Sequence, residues 1–407
     1  MGAPAVALVS IGDELLNGTS VNTNAAWLGR ILASEGARVT RSVTVGDDPA
    51  GIVKAVQREA AESDAVICTG GLGPTEDDRT RNALARVVGR ELRQDDSVVA
   101  WLRRRFESRG REMPASNLRQ ALFPEGAVVL ANRLGSAPGF LAEGDDAVVV
   151  ALPGPPAEMR AMSEEALLPL LRDRWAGRLA PVAHRVLRTT GVAESELADR
   201  LEEFGVQQGV ALAYLPSTRG VDLHLRATDE PALEETAARV SAAVGENVYA
   251  EGGSDLVEVV AMALRERGWR LATAESCTGG LLAQRITAFA GSSDYFLGGL
   301  IAYSNEAKTA LADVPAGVLE AHGAVSAEVA EALASGARAR FGAEAGVGIT
   351  GVAGPGGGTR DKPVGTVYVA ARTPEADGVR VLRLVGDRAA IRERAAQAAL
   401  DLLRRML

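Results

Sequence analysis

From Ala5 the near-continuous apolar run AVALVSIG predicts a strand buried on both faces. A polar loop and a helix over 24–34 follow, stopped by Gly36, where a residue without a Cβ can take the left-handed turn that ends a helix. The alternation then repeats. ARVTRSVTV predicts a strand, 49–61 a helix with proline at its first position, and DAVICTGG an apolar strand ending in glycines. DAVVVALPG predicts another strand, with a helix around Glu158 after it. Strands apolar on both faces and separated by helices imply an α/β domain with a doubly wound parallel sheet, covered on both sides and closing at residues 1–171.

Over 172–252 the pattern changes to strand HRVLRTTG, helix 194–204, strands GVALAYLP and VDLHLRAT, helix 231–244 and a short strand at NVYA. That order describes a small α+β module. KH domains share such a mixed topology and clamp nucleic acid with a GxxG loop; the nearest match, Gly205-Val-Gln-Gln-Gly209, has one residue too many. A spacer or dimerisation role is expected. A third domain, 253–407, opens with a helix presenting Leu256, Val259, Val260, Ala263 and Leu264 on one face and ending at Gly268. RLATAES, GGLIAYSN, AGVGITG, VGTVYVAA and VRVLRLVG predict strands, 281–288 and 328–341 helices, and a final helix buries Ile391, Ala395, Ala398, Leu402 and Leu403.

Composition narrows the class. With 407 residues, 47% hydrophobic and 24% charged, the chain is too apolar for disorder and too long for one core. A net charge of -9 argues against direct nucleic-acid binding through phosphate neutralisation, and the arginines at 103, 104, 105, 109 and 111 read as a solvated helix face. Cys68 and Cys277 have neither disulfide nor zinc spacing, no basic leader precedes an apolar stretch, and no apolar run is of membrane-spanning length; a cytoplasmic protein without membrane contact is expected.

Three places in the third domain gather residues that a core does not need. Ala274-Glu275-Ser276-Cys277-Thr278-Gly279-Gly280 is a strand-to-helix junction whose outward N–H groups suit an anion; the alternative is plain capping by Ser276 or Thr278. Gly291-Ser292-Ser293 precedes the strand that leads into Tyr303-Ser304-Asn305-Glu306-Ala307-Lys308, and a serine with a desolvated lysine base is one recognised nucleophile pair, although such a lysine taken alone is more often a solvated helix residue. Thr350-Gly351-Val352-Ala353-Gly354-Pro355 opens a glycine loop that can approach a ligand closely. Ser276 and Cys277 compete with Ser293 as nucleophile.

These segments, with GDELLNG, NTNAAWL, GGLGPTEDD and PGPPAEM in front and HGAVS and KPVGTVYVA behind, resemble the competence- and damage-inducible CinA family over essentially the whole chain. The resemblance implies a nicotinamide-nucleotide amidase at 253–407, needing no cofactor and releasing ammonia and nicotinic acid mononucleotide from nicotinamide mononucleotide. It implies Ser293 as nucleophile, activated by Tyr303 and Lys308, with the nucleotide site formed by Ser276, Thr278, Gly279, Gly280, Thr350, Gly351, Gly354 and Arg388.

In the first domain the polar clusters follow strands, where open parallel sheets bind ligands. Asp13 and Glu14 follow the first, Asp47 and Asp48 the second, the 70–78 loop the third, and Glu158 the last. Converging carboxylates beside glycine loops suit a divalent metal holding a diphosphate; the alternative is a set of helix caps and turn acids. GGLGPTEDDRT also resembles molybdopterin-binding domains, with Asp78 and Asp47 matching their functional acids and Leu72 standing where they carry threonine. The CinA resemblance implies ADP-ribose pyrophosphatase activity with magnesium, manganese or cobalt held by Asp47 and Asp78, in a site that also takes Asn24, Gly70, Gly71, Gly73 and Thr75. Alternatives are a molybdopterin-like binding protein without turnover, or an adaptor in competence and recombination. A homodimer is expected.

Overall fold

The computed structural model describes residues 2–202 and 204–407. The chain divides into two compact units, Met1–Ala183 and His184–Leu407.

The first unit is built on a six-stranded sheet in the order Arg38–Val45, Ala5–Ile11, Ala65–Thr69, Val148–Leu152, Gly139–Glu143, Val128–Leu130. Alternate side chains of the Ala5 strand go to opposite cores, Ala7, Val9 and Ile11 to one and Val6 and Leu8 to the other, which is why the strand reads as apolar throughout. The first four strands are parallel, but the expected all-parallel sheet is not what forms: Gly139–Glu143 and Val128–Leu130 add an antiparallel edge. The turn closed by Gly144 N–H on the Ala147 carbonyl, 3.1 Å, connects the hairpin directly, so no crossover helix announces these strands. Asn22 caps the helix Thr23–Ser34 through the Ala25 N–H, and Asp48 caps Pro49–Ala60 through Gly51.

In the second unit, a four-stranded sheet orders Ala211–Pro216, Val221–Ala227, Ala183–Thr189 and Val248–Glu251. Val221, Leu223 and Leu225 and the buried helix residues Leu197, Leu201, Leu233 and Val240 supply its core. The helix expected over 194–204 is seen as Glu194–Glu202; Glu203 lies outside the described residues. The capping box of Asp255 and Glu258 then starts the helix Leu256–Arg267, which Gly268 ends in the left-handed conformation.

A five-stranded sheet follows, ordered Phe296–Ile301, Leu271–Glu275, Ala345–Gly351, Thr366–Arg372, Asp377–Arg383. Its first three strands are parallel, and Thr366–Arg372 runs antiparallel to both its neighbours. The helix Ala327–Phe341 lies so close to this sheet that only glycine fits beneath it: a Cβ at Gly346 would sit 2.2 Å from the Ala334 carbonyl oxygen, and one at Gly348 2.1 Å from that of Ala330. Among the described residues no helix is long and apolar enough to cross a membrane.

Candidate active site

The three parallel strands of the five-stranded sheet end together, and their carboxyl edge collects Ser276, Tyr303, Lys308 and Thr350. The Ala302 N–H donates to the Glu275 carbonyl, 2.9 Å, and Ser276 N–H to that of Ile349, 2.9 Å, so Ser276 stands between the exits of both neighbouring strands. Alternation assigns the faces. Ala272 and Ala274 pack with Ala312 and Leu333 on one side of the sheet, whereas Leu271 and Cys277 belong to the core on the other. Ser276 directly follows the last residue of that strand, where the chain turns toward the helix Leu281–Thr287. Lys308, on the helix Asn305–Ala312, is buried on the same side as Ala312, one turn further on.

Lys308 is 2 % exposed, and its Nζ donates to the Tyr303 carbonyl, 2.9 Å. Burial pushes its pKa down, against smaller opposing effects of Cys277 and Glu306. Among the described residues no carboxylate lies within ion-pair distance of it. Cys277 is a poor candidate nucleophile: burial pushes its thiol up to about 11, so it stays protonated near neutrality. The Tyr303 side chain is 60 % exposed and its hydroxyl accepts from Arg388 Nη2, 3.1 Å, while Arg388 Nη1 donates to the Gly354 carbonyl, 2.7 Å. Thr350 is buried and donates its hydroxyl to the Ala324 carbonyl, 2.6 Å. Gly351 is a packing residue, since a Cβ there would meet Val367 at 2.7 Å.

Two expectations are corrected. Ser293 is not with Tyr303 and Lys308. It lies in the single turn Ser292–Asp294, before the strand Phe296–Ile301, at the amino edge of the sheet, where the Leu271 N–H donates to the Tyr295 carbonyl, 2.7 Å. Six residues of strand at ~3.3 Å each put roughly 20 Å between that edge and the carboxyl edge. Arg265 instead ties the Ser293 turn to the helix behind it, donating to the Gly291 carbonyl, 2.8 Å, and stacking over the Tyr295 ring.

The second correction concerns the junction at 276–280, where only part of the expected set of N–H groups remains open to an anion. The buried Glu275 carboxylate already takes those of Gly280, Leu282 and Ala283, at 2.8–3.1 Å. Gly279 N–H closes the turn onto the Ser276 carbonyl, 3.1 Å, and Arg392 grips the Thr278 carbonyl through Nε and Nη2, 3.1 and 2.6 Å. Glu275 and Arg392 are structural members of the site that sequence reasoning missed. The one available signal was an acid at the end of an otherwise apolar strand.

In the first unit, a cleft of ≈ 250 Å³ at the carboxyl edge is lined by Glu14, Asn24, Asp47, Gly70, Gly71 and Asp78, and also by Asp77, Thr69 and Gly154. Asp13 stands behind Asp47: each backbone N–H donates to the other's carboxylate, at 3.1 and 3.3 Å. Burial raises the Asp47 pKa, and the carboxylates of Asp13, Glu14 and Asp77 add to the rise although the Asp13 N–H opposes it. Asn24 is anchored by its Nδ2 on the Gly154 carbonyl, 2.7 Å. Asp78 accepts from both the N–H and the hydroxyl of Thr75, and Gly73 and Thr75 line an adjoining hollow that shares Asp78. Glu158, expected in this site, faces away and accepts from Asn132 Nδ2, 2.7 Å, holding the turn at 132–135. Leu72 is buried in the core.

As a metal centre the cleft fits only in part. Among the described residues no group of three or more His, Cys, Asp or Glu side chains is placed to hold an ion. Asp47 and Asp78 each spend an oxygen on a backbone N–H. Crowded carboxylates of this kind suit a cation that arrives with a diphosphate, because magnesium-like ions bind through one or two carboxylates plus substrate phosphates.

The residues of each part match known families. The CinA C-terminal domain matches residues 253–407, a probable molybdopterin binding domain 7–173, and the damage-inducible protein CinA KH domain 184–250. A CinA-like protein of Gemmatimonas aurantiaca is 50% identical over 98% of this chain and 96% of its own length, and one of Geobacter sulfurreducens is 46% identical over 99% of both. The chain belongs to the CinA family. Among solved structures, CinA of Thermoplasma acidophilum is 33% identical over 41% of this chain and 98% of its own, with a TM-score of 0.39. A CinA superfamily protein of Escherichia coli is 32% identical over 40% and 98%, with a TM-score of 0.37. The middle module is thus the family's KH domain, although its glycine loop departs from GxxG by one residue.

Proposed function

We propose that the carboxyl edge of the five-stranded sheet is a serine amidohydrolase site acting on nicotinamide mononucleotide, with Ser276 as nucleophile and Lys308 as base. The observation that carries this reading is the burial of Lys308, without a carboxylate partner among the described residues, at the strand ends where Ser276 also stands. Burial lowers the pKa of that amine and so eases its passage to the uncharged form, which can accept a proton.

Ser276 Oγ attacks the carboxamide carbon while its proton passes to Lys308 Nζ. The tetrahedral intermediate collapses with cleavage of the C–N bond, Lys308 returns the proton, and ammonia leaves. Water then adds to the acyl-enzyme, again giving its proton to Lys308. The ester bond breaks, Ser276 is reprotonated, and nicotinic acid mononucleotide departs as a carboxylate. Among the described residues the Cys277 and Thr278 N–H groups have no protein acceptor, which suits them to the developing oxyanion. Arg388, exposed and held by Tyr303 and Gly354, keeps further N–H donors for the 5′-phosphate. Incubation of the purified full chain with nicotinamide mononucleotide should yield ammonia and nicotinic acid mononucleotide in equal amounts. Absence of both, with co-purification of a recombination protein, would favour an adaptor role.

A second activity is favoured by the acid-rich cleft of the first unit: metal-dependent hydrolysis of the ADP-ribose diphosphate. A divalent cation bound there would neutralise phosphate charge. Asp47 and Asp78 would hold it, and the 70–71 glycines leave room for the diphosphate. A pterin bound tightly, with ADP-ribose left intact under magnesium, manganese or cobalt, would replace this reading with a binding function.

A further inference from the structure

Three elements carry the C-terminal site: the helix Leu281–Thr287 behind the Ser276 turn, the helix Arg388–Arg404, which provides Arg388 and Arg392, and the helix Leu256–Arg267 packed against the latter. They meet on one cluster of charges. Arg285, 4 % exposed, lies 3.5 Å from Asp255 and 3.7 Å from Glu393, and donates to Gln397 Oε1 at 2.8 Å. Asp255 caps one helix, Arg285 belongs to the second, and Glu393 and Gln397 to the third.

The fourth charge comes from the middle module. Arg219, in the 217–220 hairpin turn, donates Nη1 to Asp255 Oδ2 at 2.9 Å and places Nε 3.6 Å from Glu393. Thr190 of the same module meets Gln397 Nε2 at 3.3 Å. With Arg219 the cluster has two carboxylates and two guanidiniums. Without it, Asp255 and Glu393 share one buried guanidinium, and like charges in a low-dielectric setting repel strongly. Glu393 is one residue from Arg392, the clamp on the Thr278 carbonyl, and just over one helical turn from Arg388, the partner of Tyr303.

We propose that Arg219 of the KH-like module is a positioning residue for the C-terminal site: by neutralising the Asp255–Arg285–Glu393 cluster it holds the Ser276 turn and the Arg388 helix in register. The module is then part of the site's scaffold rather than only a spacer. The kinetic consequence rests on the amidase reading above; the structural consequence does not.

The test compares Arg219→Ala and Arg219→Lys with the natural full chain, by amide hydrogen exchange and by steady-state deamidation of nicotinamide mononucleotide. Arg219→Ala should accelerate exchange about tenfold at 276–283 and 388–396 while the Ala65–Thr69 strand stays unchanged. Its kcat should fall about tenfold with KM altered less than about threefold, since misplacement of the reacting groups acts on turnover more than on binding. Arg219→Lys, which keeps the charge but not the forked geometry, should fall between, and it carries the test if the alanine variant does not fold. Exchange rising evenly across 184–407, with kcat per folded molecule unchanged in the variant that folds, would overturn the proposal. If the natural chain releases no ammonia, the amidase reading fails, and the exchange pattern alone decides whether Arg219 holds the turn.

Discussion

Replacing Lys308 by methionine should move stability and activity in opposite directions. The lysine is almost wholly buried, and its ammonium, with three donors, has one acceptor among the described residues, the Tyr303 carbonyl at 2.9 Å. An unsatisfied buried polar group costs about 1–3 kcal/mol, whereas the hydrogen bond given up returns about 1 kcal/mol, and methionine fills a similar unbranched volume. The net expectation is a gain of roughly 1 kcal/mol near neutral pH, or about 2–4 °C in the melting temperature of a unit this size. Turnover should fall about 10²–10⁴-fold, the usual contribution of a positioned base. Because burial lowers the lysine pKa in the folded state, the unfolded chain binds the extra proton between that lowered pKa and about 10.4. The natural chain therefore gains stability as pH rises through that window, and the methionine variant's advantage shrinks. Calorimetry over pH, paired with ammonia release, measures both effects. A variant that melts lower, and loses activity only in proportion to its unfolded fraction, would refute the reasoning and leave Lys308 a packing residue.

Cys277→Ser should retain deamidase activity within about threefold, and thiol reagents should leave the native enzyme active, because the buried thiol stays protonated near neutrality. Gly348→Ala should lower stability by about 1–3 kcal/mol or more, since its Cβ would meet backbone atoms of the helix above, while Gly317→Ala, with open space around it, should be neutral or slightly stabilising in the same melting experiment. Asp47→Asn should weaken manganese binding at the first unit's cleft, read by electron paramagnetic resonance of the full chain. The same variant should be more stable than the natural chain at neutral pH and lose that advantage as pH falls through the raised Asp47 pKa, because the folded carboxyl binds its proton more readily than the unfolded one.

Local chemistry made much of the fold legible. Pro49 opening a helix, Gly36 and Gly268 closing others, and strands apolar on both faces each act through residues a few positions apart. The antiparallel hairpin at 128–143 was not legible, because its strands are short and no helix separates them. The choice between two candidate serines shows where spacing misleads. Ser276 and Ser293 each lie within three residues of a glycine, but Ser276 follows a parallel strand of its sheet and Ser293 precedes one. The rule that such sheets bind ligands at their carboxyl edge already separates the two once those strands are taken as parallel. Glu275 was signalled only by its place at the end of an apolar strand, and the Arg219 cluster was hidden by distance, its partners lying 36 and 174 positions along the chain.

Ammonia release from nicotinamide mononucleotide by Ser276→Ala and Ser293→Ala, measured side by side in the full chain, tests the central claim most directly. The geometry predicts a loss of at least about 10³-fold for Ser276→Ala and a change of less than about threefold for Ser293→Ala, since a nucleophile's removal abolishes its covalent step. Full activity in Ser276→Ala together with loss in Ser293→Ala would contradict it.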